Sequence, residues 1–495
     1  MPETPGSPGN GSGATPGLPV RCSIVPPYLL AALAASGDDH VAARAAEALR
    51  LDESLRRGRV TAEARPGGRT TLPGATPGTD SGPQRTIHDA QHATALPGPV
   101  VREEGAPPTA DTAVTEAYDG LGATWQLWQD AYARNSLDGK GLPLVASVHY
   151  GRDYDNAFWD GTQMVFGDGD GVVFLGFTRS LDVIGHELAH GVTQYTAGLT
   201  YQGQSGALNE SVSDVFGSLV KQHSLGQDAA QADWLIGAEL LAPGVKGVAL
   251  RSMAAPGTAY DDPRLGKDPQ PAHLRDYVDT TDDNGGVHIN SGIPNKAFHD
   301  LAVALGGNAW EVAGRVWYDT LTGEIRADCD FATFAGLTVA AATARFGDGS
   351  READAVTAAW EGVGVTPLAA GGSGGSGGTG APEVPETPAE PAPGPAPAPG
   401  TQVELRRTGG FAGRTRARTV ALGELPHPDT AAWQDLLATD RLQALAAAVE
   451  RDYPDAYCYG VRCPVPAVDV VIPEPALSDD VRDLFERTLR GASDD

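Results

Sequence analysis

Two histidines four residues apart are the residues of this chain whose types and spacing most clearly suggest chemistry. His186 and His190 lie in the sequence DVIGHELAH. On a helix they would share one face, one turn apart, where both imidazoles can reach a single cation. Glu187 lies between them, where a carboxylate cannot easily join the same coordination sphere but can hydrogen-bond a water that the metal holds. The spacing therefore predicts a catalytic metal site on a helix.

A catalytic zinc ion usually takes three protein ligands and leaves its fourth position to water, so a third donor should follow. Glu210 is the best candidate, because it opens the run ESVSD, in which Glu210 and Asp214 share a helix face. Asp214 would then accept the second ring N–H of a liganding histidine and fix its tautomer. A bare H-E-x-x-H also occurs by chance on amphipathic helices, but the added E-x-x-x-D favours a metalloprotease.

The motifs HELAH, GLTYQGQSGA, NESVSD and DNGGVHINSG follow one another in the chain. In these motifs and their order the chain resembles the thermolysin family of zinc peptidases, from about residue 85 to residue 365. The resemblance implies one catalytic zinc ion and an α+β fold of two lobes. A mixed, β-rich N-terminal lobe (85–235) would carry the zinc helix, an α-helical C-terminal lobe (236–368) would follow, and the active site would lie between them.

The same resemblance implies roles for further residues in a neutral endopeptidase that attacks peptide bonds with a metal-activated water. Glu187 would move the water's proton to the leaving amine. Tyr201 and His288, the latter oriented by Asp283, would donate hydrogen bonds to the developing oxyanion. Asn156 and Ala157 on an exposed edge strand, together with Arg251, would bind the substrate backbone. Four apolar residues match the family's specificity pocket: Phe174, Phe177, Val183 and Leu250. They predict cleavage before a bulky hydrophobic residue, although each of them could instead be an ordinary residue of the hydrophobic core.

The chain departs from thermolysin at the calcium ligands. Asp182 and Asp233 remain, but Lys221 and Ala238 stand where acidic ligands are expected, and Val248 replaces a carboxylate of another calcium site. An ammonium can supply a cation's charge without binding an ion. We therefore predict an ion pair between Lys221 and Asp182 and no paired calcium site.

The N-terminal region is expected to be a removable precursor segment. Residues 1–20 are rich in Pro, Gly and Ser and should form a disordered tail. Residues 21–80 resemble the short propeptide of the protealysin-like branch of the family, in which an extended stretch leads into a PPY-type motif. Here an Ala-rich helical pattern follows, to about Leu51. Stiff prolines would present the preceding residues as a strand-like ligand and keep the enzyme latent.

Four residues are candidates for this latency: Cys22, Pro26, Pro27 and Tyr28. A thiolate is a good zinc ligand, so Cys22 is a candidate for the open zinc position in the precursor. The alternative is that Cys22 is a small apolar residue in the propeptide interface.

The C-terminal region predicts a separate module behind a linker. Residues 369–401 begin with GGSGGSGG and continue rich in Pro, Ala and Glu, which suits a flexible and then extended linker. Residues 402–495 alternate as strands and helices of a small α+β module. Its RRTGGFAG resembles emfourin, a protein inhibitor associated with protealysin-like peptidases, which implies an intramolecular inhibitor. A substrate-docking module is the alternative.

Charge and composition limit the partners of this 495-residue chain. A formal net charge of −28 and the lack of a basic patch with interleaved aromatics argue against binding to nucleic acid or an anionic membrane. The expected partners are protein and peptide substrates, the propeptide and the inhibitor-like module. The N-terminus lacks a signal-peptide pattern, so we expect synthesis in the cytoplasm and export, if any, by a non-standard route, since family members act extracellularly. The alternative function is that of a catalytically silent zinc protein that acts as a regulated partner.

Overall fold

The computed structural model describes residues 23–62 and 82–368, and in the C-terminal part residues 401–408, 416–438, 442, 445, 458–464, 467–474, 477 and 479–490. These residues belong to two compact units, which are described separately. Residues 23–58 and 82–368 form the first, and the residues from 401 onward form the second, with which residues 59–62 at the end of the helix Asp39–Ala62 are also grouped. The predicted tail, Cys22 and all of the predicted linker except Thr401 lie outside the described residues. Among the described residues, no helix is both long enough and apolar enough to cross a membrane.

The first unit contains both strands and helices. Its strands are β1 (Arg85–Asp89), β2 (Val100–Glu103), β3 (Leu144–Val148), β4 (Ala157–Trp159), β5 (Met164–Phe166), β6 (Leu235–Ile236), β7 (Arg251–Ser252), β8 (Asp261–Asp262) and β9 (Gly266–Lys267). Its helices are α1 (Pro27–Ala34), α2 (Asp39–Ala62), α3 (Thr112–Tyr132), α4 (Leu181–Gln194), α5 (Gly203–Leu225), α6 (Asp283–Asn290), α7 (Gly292–Leu305), α8 (Ala313–Thr322), α9 (Phe331–Phe346) and α10 (Arg351–Gly362).

A five-stranded mixed sheet dominates the N-terminal half of residues 82–368. Its strand order is β2-β1-β3-β5-β4, which places β4 at one edge. The pairs β1–β3 and β3–β5 are parallel, whereas β1–β2 and β4–β5 are antiparallel. Helix α3 packs against this sheet, and the Asp111 side chain caps it by accepting from the amides of Ala113 and Val114. The chain therefore has the β-rich N-terminal region predicted from the sequence.

Helices α4 and α5 pack against each other through two glycines. A Cβ atom on Gly217 would lie 2.3 Å from the backbone oxygen of Asp182 and 2.9 Å from the backbone nitrogen of His186, and one on Gly185 would lie 3.0 Å from the Cα of Gly217. No larger residue fits at position 217, because real Cβ atoms do not approach backbone atoms so closely. This close crossing brings the His-bearing face of α4 against α5.

Helices α7 to α10 form the helical C-terminal lobe. Their apolar faces meet in a core where the rings of Trp317 and Trp360 stack with centroids 5.9 Å apart. Side-chain caps set two of the helix starts: Asp330 accepts from the amide of Thr333 before α9, and Ser350 from that of Ala353 before α10. The α+β, two-lobed fold class predicted from the sequence is confirmed.

The helical stretch predicted for the propeptide is present, and it runs beyond its predicted end near Leu51 to Ala62. It consists of two helices, α1 and α2, because the chain turns at residues 35–38 and the Asp38 side chain accepts from the amides of His40 and Val41. Such an N-cap begins a new helix rather than continuing the old one.

The second unit is a small α+β module. Its antiparallel sheet has the order β11-β10-β12-β13, built from β10 (Gln402–Thr408), β11 (Arg416–Ala421), β12 (Cys458–Pro464) and β13 (Ala467–Pro473). The described helices are α11 (His427–Ala438) and α12 (Asp479–Arg490). Trp433 of α11 stacks on Phe485 of α12 at 5.1 Å and donates its Nε1–H to the Thr488 hydroxyl at 2.9 Å.

Candidate metal centre and substrate cleft

Three fully buried side chains converge where α4 crosses α5. His186, His190 and Glu210 offer ligand atoms that all lie within 4.8 Å of one another. The two histidine Nε2 atoms are 3.1 Å apart, and each lies 3.5–3.6 Å from a carboxylate oxygen of Glu210. Among the described residues this is the one cluster of its kind. The donor set is the one that the sequence predicted.

The hydrogen bonds around the two imidazoles favour a cation between them. The Nδ1 of His186 bonds to Asp214 at 2.8 Å, and the Nδ1 of His190 bonds to the Oδ1 of Asn209 at 2.8 Å. With Nδ1 protonated on both rings, each Nε2 carries a lone pair and the two lone pairs face each other. Burial lowers the pKa of His190 to about 4, which keeps this ring neutral. Two neutral imidazoles and a carboxylate suit zinc.

Glu210 is ionised in this setting. Burial alone would raise its pKa, but the neighbouring His288 and His190 lower it to about 2. Tyr201 donates its hydroxyl to Oε1 of Glu210, and the same hydroxyl lies 3.2 Å from the Nε2 of His288. The predicted oxyanion-stabilising pair therefore lies beside the predicted metal ligands.

His288 is held by Asp283 from the turn that precedes it. Its Nδ1 lies 2.7 Å from one oxygen of Asp283, and its backbone amide donates to the other oxygen at 3.0 Å. Gly285 and Gly286 in this turn have φ angles of 83° and 72°, which glycine adopts without strain. The DNGG sequence thus lets the chain fold back so that Asp283 reaches the histidine.

Glu187 lies on α4 next to the metal ligands and is completely buried. Its Oε2 accepts from the backbone amide of Trp159 at 2.9 Å, while Oε1 accepts no hydrogen bond from the described residues. Burial and the charge of Glu210 raise the pKa of Glu187 well above its ordinary value. A carboxyl oxygen without a hydrogen-bond donor among the described residues, next to the candidate metal ligands, suits a general base.

Asp214 does more than orient a histidine. It accepts from Nε and Nη2 of Arg251 at 2.9 and 2.8 Å, and from Nδ2 of Asn295 at 2.8 Å, in addition to the His186 bond. The positive charge of Arg251 holds the pKa of Asp214 well below its usual range despite burial. One carboxylate therefore positions both a metal ligand and a substrate-binding candidate.

Sequence reasoning missed three side chains of this network. Asn295 holds Asp214, and Asn209 and Ser213 both reach the Nδ1 of His190, at 2.8 and 3.1 Å. Asn209 and Ser213 lie within the NESVSD motif, so the motif itself carried a signal for them. Asn295 follows the HINSG motif by three residues, and no spacing rule pointed to it.

The edge strand β4 is covered by an extended segment of the predicted propeptide. The amide of Ile24 donates to the Ala157 carbonyl at 3.1 Å, and that of Val25 to Oδ1 of Asn156 at 2.9 Å. The Nδ2 of Asn156 returns a bond to the Val25 carbonyl at 3.1 Å, and Ser23 forms an antiparallel bridge to Phe158. The segment lies as an added strand on the sheet edge.

The third substrate-binding candidate contacts the same segment. Arg251 donates from Nη1 to the carbonyl of Ile24 at 3.1 Å. The residues predicted to form the specificity pocket are all buried, with exposures of 0% to 2%: Phe174, Phe177, Val183 and Leu250. The rings of Phe174 and Phe177 lie 5.9 Å apart.

The proline motif turns the segment away from the strand. Pro26 is extended, with φ −63° and ψ 151°, and Pro27 is the first residue of α1, a position that proline favours. Tyr28 follows in α1, and its pKa is raised well above the ordinary value by burial and by the nearby Tyr260 and Asp283. Tyr28 therefore packs at the cleft side of the propeptide.

The predicted ion pair at the former calcium position is present. The Nζ of Lys221 lies 3.1 Å from Oδ2 of Asp182, 2.9 Å from Oδ2 of Asp233 and 3.5 Å from Oε1 of Glu239. Ala238 adjoins Glu239 in a short 3₁₀ turn, and Val248 is 58% exposed. An ammonium thus occupies the centre of this carboxylate group.

Comparison with known proteins agrees with this geometry. Residues 84–194 match the family profile of the thermolysin metallopeptidase catalytic domain, residues 197–365 match its alpha-helical domain, and residues 405–489 match emfourin. An extracellular metalloprotease of Pectobacterium carotovorum is 54% identical over 345 residues, which cover 70% of this chain and 96% of the relative. A thermolysin of Alicyclobacillus acidocaldarius is 39% identical over 287 residues, 56% of this chain and 50% of that protein.

A solved structure extends the likeness to the precursor form. The precursor of protealysin, a metalloproteinase from Serratia proteamaculans, is 53% identical and matches with a TM-score of 0.63, covering 70% of this chain and all of the other. Zinc is typical of the family, and the cluster of His186, His190 and Glu210 is compatible with it. The chain belongs to the thermolysin family of metallopeptidases, in its protealysin-like branch and with an emfourin domain at its C-terminal end, and it is a metalloendopeptidase.

Proposed function

We propose that this chain is a latent precursor of a zinc-dependent neutral endopeptidase that cleaves before bulky hydrophobic residues. The observation that carries the proposal is the segment Ser23–Val25, which is bound on β4 by Asn156, Ala157 and Arg251. These are the residues that the family resemblance assigned to the substrate backbone. The precursor therefore places its own chain where a substrate would lie.

The register of this segment supports the predicted specificity. Burial and the charge of Glu210 raise the pKa of Glu187, and the nearby amide of Ile24 opposes them. That amide would mark the place where a leaving amine receives its proton. Ile24 would then correspond to the residue after the scissile bond, and its side chain is completely buried. A bulky apolar residue at this position agrees with the preference that the family resemblance implies, for which it names Phe174, Phe177, Val183 and Leu250 as the pocket.

The residues of the site divide the reaction between them. Zinc held by His186, His190 and Glu210 would polarise the scissile carbonyl and lower the pKa of a water molecule. Glu187 would take the proton from the attacking water and pass it to the leaving amine. Tyr201 and His288 would donate hydrogen bonds to the carbonyl oxygen as it gains negative charge.

The role of Glu187 is tested by Glu187→Ala. Peptide hydrolysis should fall by at least about a thousandfold, near the upper end of what a general base contributes. Zinc content, measured by elemental analysis, should stay at one per chain because no ligand is removed. Glu103→Ala, at an exposed position on β2, is the matched control and should change neither quantity. Undiminished activity in Glu187→Ala would rule out the mechanism, and zinc-free but folded wild type would rule out the metal centre.

Latency is tested on the purified full chain. Incubation with zinc should show activity on casein and on small peptides rising only as mass spectrometry detects loss of the N-terminal segment. The physical reason is that Ser23–Val25 must leave β4 before a substrate can pair there. Full activity of the intact precursor would contradict latency.

We further propose that the C-terminal module inhibits the peptidase. Its match to emfourin supports this, and a tethered inhibitor has a high effective concentration because its binding is intramolecular. Removal of residues 402–495 should raise the hydrolysis of small peptides by the processed enzyme. A module that only docks protein substrates would leave small-peptide hydrolysis level and lower that of casein.

We also propose that the enzyme acts outside the cell, because the Pectobacterium relative is described as extracellular. Peptidase activity and the processed chain should then accumulate in the culture medium under conditions in which a cytoplasmic marker enzyme stays in the cells. Recovery of the processed chain in the cell lysate alone would contradict this.

A further inference from the structure

A buried carboxylate of the propeptide reaches the strand that binds the segment Ser23–Val25. Asp52 lies on α2, and only 4% of its surface is exposed. Its Oδ1 accepts from the hydroxyl of Tyr154 at 2.5 Å, and its Oδ2 accepts from Nδ2 of Asn156 at 3.2 Å and from the hydroxyl of Ser23 at 3.4 Å. This side chain therefore bonds to the peptidase and to the cleft segment at once.

The bond to Asn156 couples the helix to the cleft. Asn156 is completely buried, and its amide group already holds Val25 through both Oδ1 and Nδ2. Because Asp52 accepts from the same Nδ2, it fixes the orientation in which Asn156 grips the segment. Without Asp52, that amide would lose one of the contacts that define its rotamer.

Burial makes this contact costly to break. A carboxylate removed from water depends on its protein donors, and a donor left without its acceptor loses a hydrogen bond in a dry environment. Tyr154 is also buried at 2% exposure, and its pKa is raised well above the ordinary value by burial and then by the charge of Asp52. Its hydroxyl accordingly stays protonated and remains a donor.

We propose that Tyr154 and Asn156 form a carboxylate-binding site on the peptidase, that its ligand is the side chain of Asp52, and that this contact holds Ser23–Val25 in the cleft. The inference rests on the proposed latency and names the contact that maintains it. A second propeptide contact, between Arg44 and Asp153 at 3.2 Å, is partly exposed and should contribute little.

Hydrogen exchange measures the proposed contact of Asp52 with Tyr154 and Asn156 without relying on activity. In full-length protein carrying Glu187→Ala, which cannot process itself, the amides of Ile24 and Val25 report the closed cleft because they donate to Ala157 and Asn156. Adding Asp52→Ala should speed their exchange about tenfold to a hundredfold, the effect of removing one partner from buried hydrogen bonds. Glu47→Gln, on the same helix but half exposed, should change the exchange less than twofold. Unchanged protection in folded Asp52→Ala would overturn the proposal.

Tyr154→Phe covers the case in which Asp52→Ala does not fold. It removes one hydroxyl, which donates to Asp52, and should speed exchange of the same two amides. Each exchange rate converts to a free energy of opening. The two residues are direct partners, so the change in this free energy in the double variant should be smaller than the sum of the changes in the two single variants. Full additivity of the two changes would show that Tyr154 and Asp52 act independently and would overturn the proposal.

Activity assays separate this inference from the latency on which it rests. If the wild-type precursor hydrolyses small peptides as fast as the processed enzyme, latency itself fails. If the wild type is latent, Asp52→Ala should hydrolyse peptide before processing and should lose its N-terminal segment sooner. Equal latency and an equal processing rate would refute the role of Asp52 and leave latency intact.

Discussion

Removal of the Lys221 ammonium should destabilise the peptidase strongly, because its main partner is fully buried. The Asp182 side chain has no exposed surface, and it lies 3.1 Å from Nζ of Lys221. Burial alone would lower the pKa of Lys221, but Asp182, Asp233 and Glu239 raise it above its ordinary value, so the ammonium is charged at neutral pH. Lys221→Met keeps much of the side-chain volume and removes only this charge.

The magnitude follows from the state in which Asp182 is left. If it stays ionised, an unpaired buried charge costs about 3–5 kcal/mol. If it takes up a proton, holding a carboxyl of ordinary pKa 3.9 neutral at pH 7 costs about 4 kcal/mol relative to the unfolded chain. Asp233 and Glu239 are 45% and 42% exposed, so their pairs add at most about 1 kcal/mol each. We expect Lys221→Met to lower the free energy of unfolding by about 3–4 kcal/mol.

The change in the free energy of unfolding caused by Lys221→Met can be measured by urea unfolding, followed by tryptophan fluorescence. Both proteins carry Glu187→Ala, which prevents self-digestion. The difference from the parent should shrink toward pH 4, where Asp182 is protonated in the unfolded chain too. Lys221→Glu adds a carboxylate to the group, so its unfolding midpoint should rise with millimolar calcium while that of the parent does not. If Lys221→Met lowers the free energy of unfolding at pH 7 by less than about 1 kcal/mol, the assigned role of the ion pair is refuted. Strong stabilisation of the parent by micromolar calcium would refute the prediction that the chain has no paired calcium site.

Two further predictions concern pH. Hydrogen bonds to Asp168 and Asp111 raise the pKa of His149 to about 9. The protonated ring therefore stabilises the fold fully below the pKa of His in the unfolded chain, near 6.5, and this stabilisation is lost as the pH rises through 9. We expect this loss to lower the free energy of unfolding of the parent by about 1–2 kcal/mol between pH 6.5 and pH 9, and His149→Asn should lack this decrease in urea unfolding. An unaltered pH slope in His149→Asn would contradict the role of His149. Burial and the charge of Asp170 raise the pKa of Asp155 to about 8. The protonated carboxyl group therefore contributes its full stability to the fold below about pH 4, and this stability is lost as the pH rises through 8. Asp155→Asn should therefore stabilise the enzyme at pH 8 by about 1–3 kcal/mol more than at pH 4, and equal effects at both pH values would be evidence against this.

The metal cluster could be predicted from sequence because each part depends on local geometry. One helical turn separates His186 from His190, and one further turn of another helix separates Glu210 from Asp214. The sequence also predicted the ion pair of Lys221, since the resemblance to thermolysin leads one to expect an acidic ligand at that position. What spacing alone could not give is the close approach of α4 and α5, which depends on Gly217 fitting against the backbone of Asp182.

The propeptide contacts were beyond sequence reasoning for a different reason. Asp52 lies in LRLDESLRRG, a charged stretch that has the composition of a solvated helix face. Its burial depends on the turn at residues 35–38, which redirects α2, and on the register of Ser23–Val25 along β4. Both are tertiary features, so a helical pattern predicted to end at about Leu51 could not place Asp52.

Asp214 and Asn156 have similar roles in the hydrogen-bond network around the segment Ser23–Val25. Asp214 ties a metal ligand, His186, to Arg251, which bonds to the carbonyl of Ile24. Asn156 ties the same segment to the carboxylate of Asp52. Because each of these two buried side chains has two sets of partners, the candidate metal ligands and the segment Ser23–Val25 share one hydrogen-bond network. Departure of this segment would therefore free donors of Asn156 and Arg251 together, and under the proposed function these donors would then bind a substrate backbone.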